Sequence, residues 1–408
     1  MASPDLHVQR EFALEVVSRL RARGYTAYWA GGCVRDQLLG RTPKDYDVAT
    51  NATPLEIREA FGKRRTLEIG AAFGVVAVRG PAEAGIVEVA TFRRDATYSD
   101  GRHPDSVTFS TPEEDAERRD FTINGLFFDP VANIVIDYVG GREDLQRHLI
   151  RAIGDPRARF GEDKLRMLRA IRFAATFDFT LDHETQLAIA EMAGEVTVVS
   201  AERIAAEMRL VLTHSRRAEG MELLCETGLL AMVGPEFARL AESDWQATLD
   251  VLARLEMESF PLSLAVLAYR AEAPLHALET VAERWRLATR EAERATWLVT
   301  QRHSLDNAPA QPWSRLQPIL TAPGIEELLA LATAVNAAAG RDTTDLEFCR
   351  RQLERPTEEL NPLPLVSGHD LLGHGIPGDA RMGRLLAAIR DAQLDDQIRT
   401  KAEALLRC

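Results

Sequence analysis

Cysteine is scarce in this sequence, and the little there is lies scattered. Cys33, Cys225, Cys349 and Cys408 are the only four in 408 residues, and no CxxC pair exists. That spacing excludes a disulfide framework and a clustered zinc site, and it fits reduced thiols. No run of 18 apolar residues occurs, so no membrane span is expected. Asp5 and Glu11 stand where a secretory signal would be apolar, so no signal peptide is expected and the expected location is cytoplasmic. A basic surplus is also missing, since 49 Lys and Arg face 62 Asp and Glu, a net charge of −13. Such a balance weakens non-specific attraction to polyanions without excluding a local basic groove. The deficit is uneven. Residues 1–175 hold 26 basic and 26 acidic residues, so the remainder, with 23 and 36, carries all of it.

What is present describes a folded chain of several domains: 46% of residues are hydrophobic, enough for a sizeable core. Val8, Phe12, Val16 and Leu20 follow a helical period that Gly24 ends. Strands are expected at 25–30, 46–49, 75–78, 86–92, 123–128 and 134–138, and helices at 34–39 and 54–61. Residues 94–106 have no period and many turn formers and read as a mobile loop. From Asp163 onward helical patterns dominate, among them 165–175, 184–192 and 201–212, with later ones up to 345–353. The stretch 356–364 reads as a proline-rich linker, and 365–408 as a compact piece with two helices. No internal repeat is found.

The chemistry concentrates in residues 29–50. Gly31 and Gly32 permit close backbone approach to a phosphate, and Arg35 can pair with a phosphate oxygen. Asp45 and Asp47 stand two apart on the expected strand, so both carboxylates leave the same side. Two acids held together repel unless a cation lies between them, and Mg²⁺ takes oxygen ligands together with substrate phosphates. Glu88, inside the otherwise apolar run 86–92, reads either as a solvent-facing edge residue or as a third acid of a two-metal centre. In 118–126, Arg119 and Asn124 read either as part of a capped turn or as triphosphate and ribose contacts. Asp163, Arg166, Arg169 and Arg172 recur every third residue along one side of a helix. Ion pairs on a solvated face are the bland reading, yet three arginines in one stripe repel unless anions neutralise them. Asp163 and Arg166 together offer an acceptor and donors suited to a base edge.

In this order the motifs carry a resemblance. Gly31-Gly32-x-Val-Arg35-Asp36-x-Leu-Leu-Gly40-Arg41, Asp45-x-Asp47, Arg118-Arg-Asp-Phe-Thr-Ile-Asn124 and Glu162-Asp163-x-x-Arg166 resemble those of the bacterial class II CCA-adding enzymes (tRNA nucleotidyltransferases) and their poly(A) polymerase relatives. Ser200-Ala-Glu-Arg-Ile204 is similar to the family's neck motif, and 364–372 with 391–394 to its tail. The resemblance implies an α+β chain: a polymerase-β-like nucleotidyltransferase head over 1–155, then an all-helical neck (156–215), body (216–355) and tail (356–408). It implies Mg²⁺ on Asp45 and Asp47 with Glu88 as third acid. Gly31, Gly32, Arg35, Arg119 and Asn124 would hold the triphosphate and ribose. Asp163 and Arg166 would pair with the incoming base, assisted by Arg169 and Arg172. The partners implied are CTP, ATP and the 3′ end and acceptor arm of tRNA, and loop 94–106 would serve the switch to A addition.

Within the family the alternative is a poly(A) polymerase or an A-only enzyme. Residues 64–76 look like the CCA-type Gly-x-x-x-Gly-Val pattern instead, while A-only addition stays open. A catalytically silent tRNA-binding protein is disfavoured by the intact acids. A small-molecule nucleotidyltransferase is disfavoured by the long helical half. His369-Asp370 invites a phosphohydrolase reading but lacks further ligands and reads as a helix cap. Trp285, Trp297 and Trp313 read as packing residues. The acidic C-terminal half leaves Lys164, Arg166, Arg169, Arg172, Arg203 and Arg209 as the expected basic strip for RNA.

Overall fold

In the computed structural model, residues 5–70, 74–95 and 106–407 are described. The chain divides into two compact units, Met1–Val211 with Glu219–Pro235, and Leu212–Ala218 with Glu236–Cys408. The first unit opens with helix α1 (Leu6–Arg21), capped by the Asp5 carboxylate and burying Phe12, Val16, Val17 and Leu20. Strand β1 (Ala27–Ala30) follows, then α2 (Gly32–Leu38), β2 (Val48–Thr50) and α3 (Pro54–Phe61). The next strands are β3 (Thr66–Gly70), β4 (Val75–Arg79), β5 (Ile86–Thr91), β6 (Arg93–Asp95) and β7 (Val107–Phe109). Helix α4 (Pro112–Glu117) leads through a 3₁₀ turn at Thr122–Asn124 to β8 (Phe127–Asp129), β9 (Ile134–Ile136), α5 (Gly141–Gln146) and β10 (Leu149–Ile150). Helices α6 (Pro156–Glu162) and α7 (Leu165–Phe177), strand β11 (Thr180–Leu181), α8 (His183–Met192) and α9 (Ala201–Leu212) follow.

Seven strands form one mixed sheet in the order β3-β4-β5-β2-β1-β8-β9. Strand β2 lies antiparallel to β1 (Trp29 opposite Val48) and parallel to β5 (Val48 opposite Val89). Ala30, Ala49, Phe92, Ala116 and Phe127 pack together as a core of this unit. The expected helix 54–61 matches its observed bounds because its start is set by local chemistry. Thr53 and Glu56 form a capping box and Pro54 occupies the first turn, where its missing N–H is no loss.

Four expectations change. The strand expected over 46–49 begins at Val48, so Asp45 and Asp47 lie in the extended chain leading into it. The cause is the end of β1: Gly31, at φ +71°, turns the chain into α2 and leaves no partner beyond Asp47, whose carbonyl accepts the Ala30 N–H at 3.0 Å. Residues 122–124 form a 3₁₀ turn instead of strand, and Glu88 is no edge residue, since β5 lies between β4 and β2. Arg93–Asp95 pairs with Val107–Phe109 as a two-stranded ribbon. The rest of the expected loop, 96–105, lies outside the described residues.

The second unit is helical. Its longer helices are Glu242–Ala253, Phe260–Ala268, Pro274–Arg284, Thr289–Gln301, Ile325–Ala338 and Thr344–Leu353, and Trp285 is buried against Phe260 as packing. Trp313–Leu320, unforeseen in the sequence, is helical despite Pro318. The C-terminal piece holds three helices, Gly368–Gly373, Ala380–Leu394 and Lys401–Leu406, around Val366, Leu371, Ile389, Ala392, Ile398 and Ala404. Asp370 belongs to a capping box with Ser367 and pairs with Lys401 at 2.6 Å, so it serves as a cap there. Among the described residues no single helix is long and apolar enough to cross a membrane.

Candidate active site

A cleft of about 420 Å³ opens in the first unit. One wall comes from the β1–α2 turn, the chain before β2 and the segment after α4, and it brings Gly31, Gly32, Arg35, Asp47, Arg118, Arg119, Asp120 and Asn124 together. The other comes from α7 and α9, with Asp163, Arg166, Arg169, Phe173 and Arg203.

Gly31 has two reasons to be glycine. Its φ of +71° suits no side chain well, and a Cβ there would stand 2.8 Å from Nη1 of Arg119. Arg119 therefore rests on bare backbone. Arg35 is nearly buried, over the Phe177 ring at 4.5 Å, and donates to Asp36 at 2.8 Å and to Oδ1 of Asn124 at 2.6 Å.

Of the three expected acids only Asp47 lines the cleft; Asp45 and Glu88 stand beside it, near enough for their charges to reach Asp47, and all three residues keep part of their surface open to water. The parallel register that sets Val48 opposite Val89 brings Asp47 alongside Glu88 one step earlier. Loss of hydration within the cleft, then the charges of Asp45 and Glu88, push the Asp47 carboxyl up to about 7 against the opposing pull of Arg119. Mutual repulsion of this kind is what a bound cation relieves. The donors are all carboxylate oxygens, which suit a hard divalent ion better than a soft one. Among the described residues no three acids, imidazoles or thiols are gathered closely enough to hold a metal alone, so substrate oxygens would have to complete the shell.

The α7 wall is charge-balanced. Arg166 donates to Glu162 at 2.5 Å and to the Arg159 carbonyl at 3.0 Å. Arg169 grips Asp120 through Nε and Nη2 at 2.9 and 2.6 Å, and Arg172 donates to Glu207 at 2.6 Å. Asp163 accepts from Arg203 at 2.7 Å and from the Leu165 N–H at 3.1 Å. Burial alone would raise the Asp120 carboxyl. Arg169 and the Asn124 amide overcome that and bring it down to about 2. The anions that the arginine stripe requires are thus supplied by the protein itself. Arg172 does not line the cleft; its guanidinium lies 4.1 Å over Phe173. The expected basic strip is likewise neutralised, with Lys164 on Glu195 at 3.3 Å and Arg203 on Asp163. Asp115, Asp120 and Glu207 carry no signal of their role in the sequence. Asp120 stands inside the motif at 118–124 and Glu207 four residues beyond Arg203, but nothing in their spacing shows which arginine each would meet.

This cleft and sheet define a nucleotidyltransferase head of the polymerase kind, and a family model described as "Poly A polymerase head domain" matches residues 27–151. A second, "Probable RNA and SrmB- binding site of polymerase A", matches 178–240. The CCA-adding enzyme of Geobacillus stearothermophilus is 36% identical over 402 residues, covering 96% of this chain and 95% of that protein. That of Lactobacillus gasseri is 32% identical over 396 residues, with 96% and 95% covered. The crystal structure of the Bacillus stearothermophilus CCA-adding enzyme in complex with CTP superposes at a TM-score of 0.77, with 30% identity over 98% of this chain and 97% of that one. The chain belongs to the CCA-adding enzyme family. Membership implies a divalent metal ion in the reaction.

Proposed function

We infer that the cleft transfers CMP and AMP from CTP and ATP to the 3′ end of tRNA. The chain is a CCA tRNA nucleotidyltransferase. The observation that carries this reading is the meeting, in one cleft, of a phosphate-binding wall and a wall bearing Asp163 and Arg166. The names of its relatives favour CCA addition over the poly(A) or A-only alternative.

The tRNA 3′-hydroxyl attacks the α-phosphorus of the nucleotide. The new O3′–P bond forms as the bond from that phosphorus to the bridging oxygen breaks, and pyrophosphate leaves. Mg²⁺ held by Asp45 and Asp47, with Glu88 as third acid, would supply Lewis acidity at the phosphate and lower the pKa of the attacking hydroxyl. Gly31 and Gly32 admit the phosphates to the backbone, and Arg35 and Arg119 offer guanidinium N–H groups to their oxygens. Asn124, held between Arg35 and Asp120, fixes the spacing of that grip and reaches the ribose. Asp163 accepts the exocyclic amine that cytosine and adenine share, and Arg166 donates to the adjoining ring positions, exchanging contacts they now make with Arg203 and Glu162. Arg169 and Arg172 brace that side through Asp120 and Glu207. We read 1–155 as head, 156–215 as neck, 216–355 as body and 356–408 as tail, supported by the head model ending at 151 and the separate apolar core of 366–404. A cytoplasmic location suits these substrates.

The test is primer extension on tRNAs lacking CCA, CA or A, with CTP and ATP offered separately. Two C additions followed by one A are expected. Incorporation of A alone, or long poly(A) tails, overturns the reading.

A further inference from the structure

Asp115 is a fully engaged carboxylate beside the cleft, yet it does not line it. It is 1% exposed, and its two oxygens are divided between neighbouring arginines that do line the cleft. Oδ1 accepts from Arg118 through Nη2 at 2.7 Å and Nε at 2.9 Å, and from the Arg93 N–H at 3.2 Å. Oδ2 accepts from Arg119 through Nη2 at 3.0 Å and Nε at 3.4 Å. Burial works against ionising this carboxyl, and the two guanidiniums more than reverse it. Their spacing, three and four residues on, lets a single turn at the end of α4 fold both arginines back onto one acid.

The consequence for Arg119 can be counted. A guanidinium has five N–H donors. Nε–H and one Nη2–H go to Asp115, and one Nη1–H goes to the Asn124 carbonyl at 3.3 Å. One N–H remains on each terminal nitrogen, which is the fork that takes a phosphate through two parallel hydrogen bonds. The Phe127 ring at 5.1 Å and the bare backbone of Gly31 complete the seat.

We propose that Asp115 is a positioning residue that holds Arg119 with its phosphate fork facing the cleft. This rests on the reading that Arg119 grips the triphosphate. An arginine held in place loses less side-chain entropy on binding, so the effect falls on nucleotide affinity and is the same for both substrates.

The test is a double-mutant cycle on the full chain with CTP and ATP, reading KM, kcat and thermal midpoint. Asp115→Asn is expected to raise KM for both nucleotides about tenfold, a loss typical of one charged hydrogen bond, with a smaller change in kcat. In an Arg119→Ala background the same substitution is expected to change KM by no more than about twofold, the part left to Arg118, which Asp115 also holds. An equal effect in both backgrounds, or an unchanged KM in the first, overturns the proposal. If Arg119→Ala alone leaves KM unchanged, the triphosphate reading of Arg119 fails and the proposal with it. Should Asp115→Asn not fold, Asp115→Glu, which keeps the charge but lengthens the reach, goes through the same cycle. A rise in KM confined to the Arg119 background then supports the proposal, and an equal or absent rise overturns it.

Discussion

The two walls of the cleft handle charge in opposite ways. Along α7 every cleft arginine has an acid: Arg166 has Glu162 and Arg169 has Asp120, while Arg203 is matched by Asp163. Across the cleft, Asp47 stands among like charges, and its carboxyl is raised by lost hydration first and by those charges second. The first wall is finished as it stands, so a base that docks there exchanges hydrogen bonds without changing net charge. The second is unfinished and asks for a cation. On the function proposed above, selection of the base and activation of the phosphate would draw on different physics, direction in one case and charge in the other.

Substitutions can separate the two. Asp45→Ala combined with Asp47→Ala should lower nucleotide incorporation by at least about 10³-fold. Binding of tRNA should hold, as a filter or gel-shift titration would show; retained activity refutes the metal assignment. Arg166→Ala should lower the preference for CTP and ATP over UTP and GTP by about 10- to 100-fold and leave the proposed metal site at Asp45 and Asp47 untouched. Steady-state competition among the four nucleotides measures it, and an unchanged preference would move base reading elsewhere.

A pH experiment addresses the unfinished wall. The folded carboxyl of Asp47 sits near 7, against an ordinary value of 3.8, so between these values the folded state holds a proton that the unfolded state has lost. Without metal, this group's contribution to stability falls as pH rises from about 4 to 7. A divalent ion bound at this carboxylate, as proposed, would displace the proton, so the apparent affinity for Mg²⁺ should rise with pH up to about 7 and level off above. Asp47→Asn should abolish that slope in a thermal-shift titration. The smallest catalytic effect is expected from Arg172→Gln. It should leave KM within about twofold, since Arg172 does not line the cleft, while costing about 2 kcal/mol in urea unfolding because Glu207 loses its closer partner and keeps only Arg169 at 3.9 Å.

How much of this was legible in the sequence follows the range of the interactions. Helix α3 could be bounded from its own residues, because Thr53, Pro54 and Glu56 set its start within one turn. The cleft residues could be gathered by motif, and Gly31, Gly32, Arg35, Asp47, Arg119, Asn124, Asp163, Arg166 and Arg169 do share one cavity. What escaped was their pairing. Asp120 meets Arg169 49 residues on, and Glu207 meets Arg172 35 residues back; only a folded chain shows such partners. Edge strand β3 escaped too, since it alternates over only five residues and its apolar side chains, Leu67 and Ile69, are both exposed. The helix at 313–320 was hidden by Pro318, which reads as a breaker in a sequence.

The parallel pairing of β2 with β5 has a consequence for how this gene can lengthen or shorten. Asp47 and Glu88 are set side by side by backbone register, which counts residues and ignores what lies between. A residue gained or lost in the turn at 80–85 leaves that count untouched. The same change between Glu88 and Val89 turns Glu88 to the opposite face of the sheet and leaves a neighbouring residue in its place. Insertions should therefore be frequent in the turn and absent from the two strands, a pattern that deep sequencing of a codon-insertion library selected for activity would display.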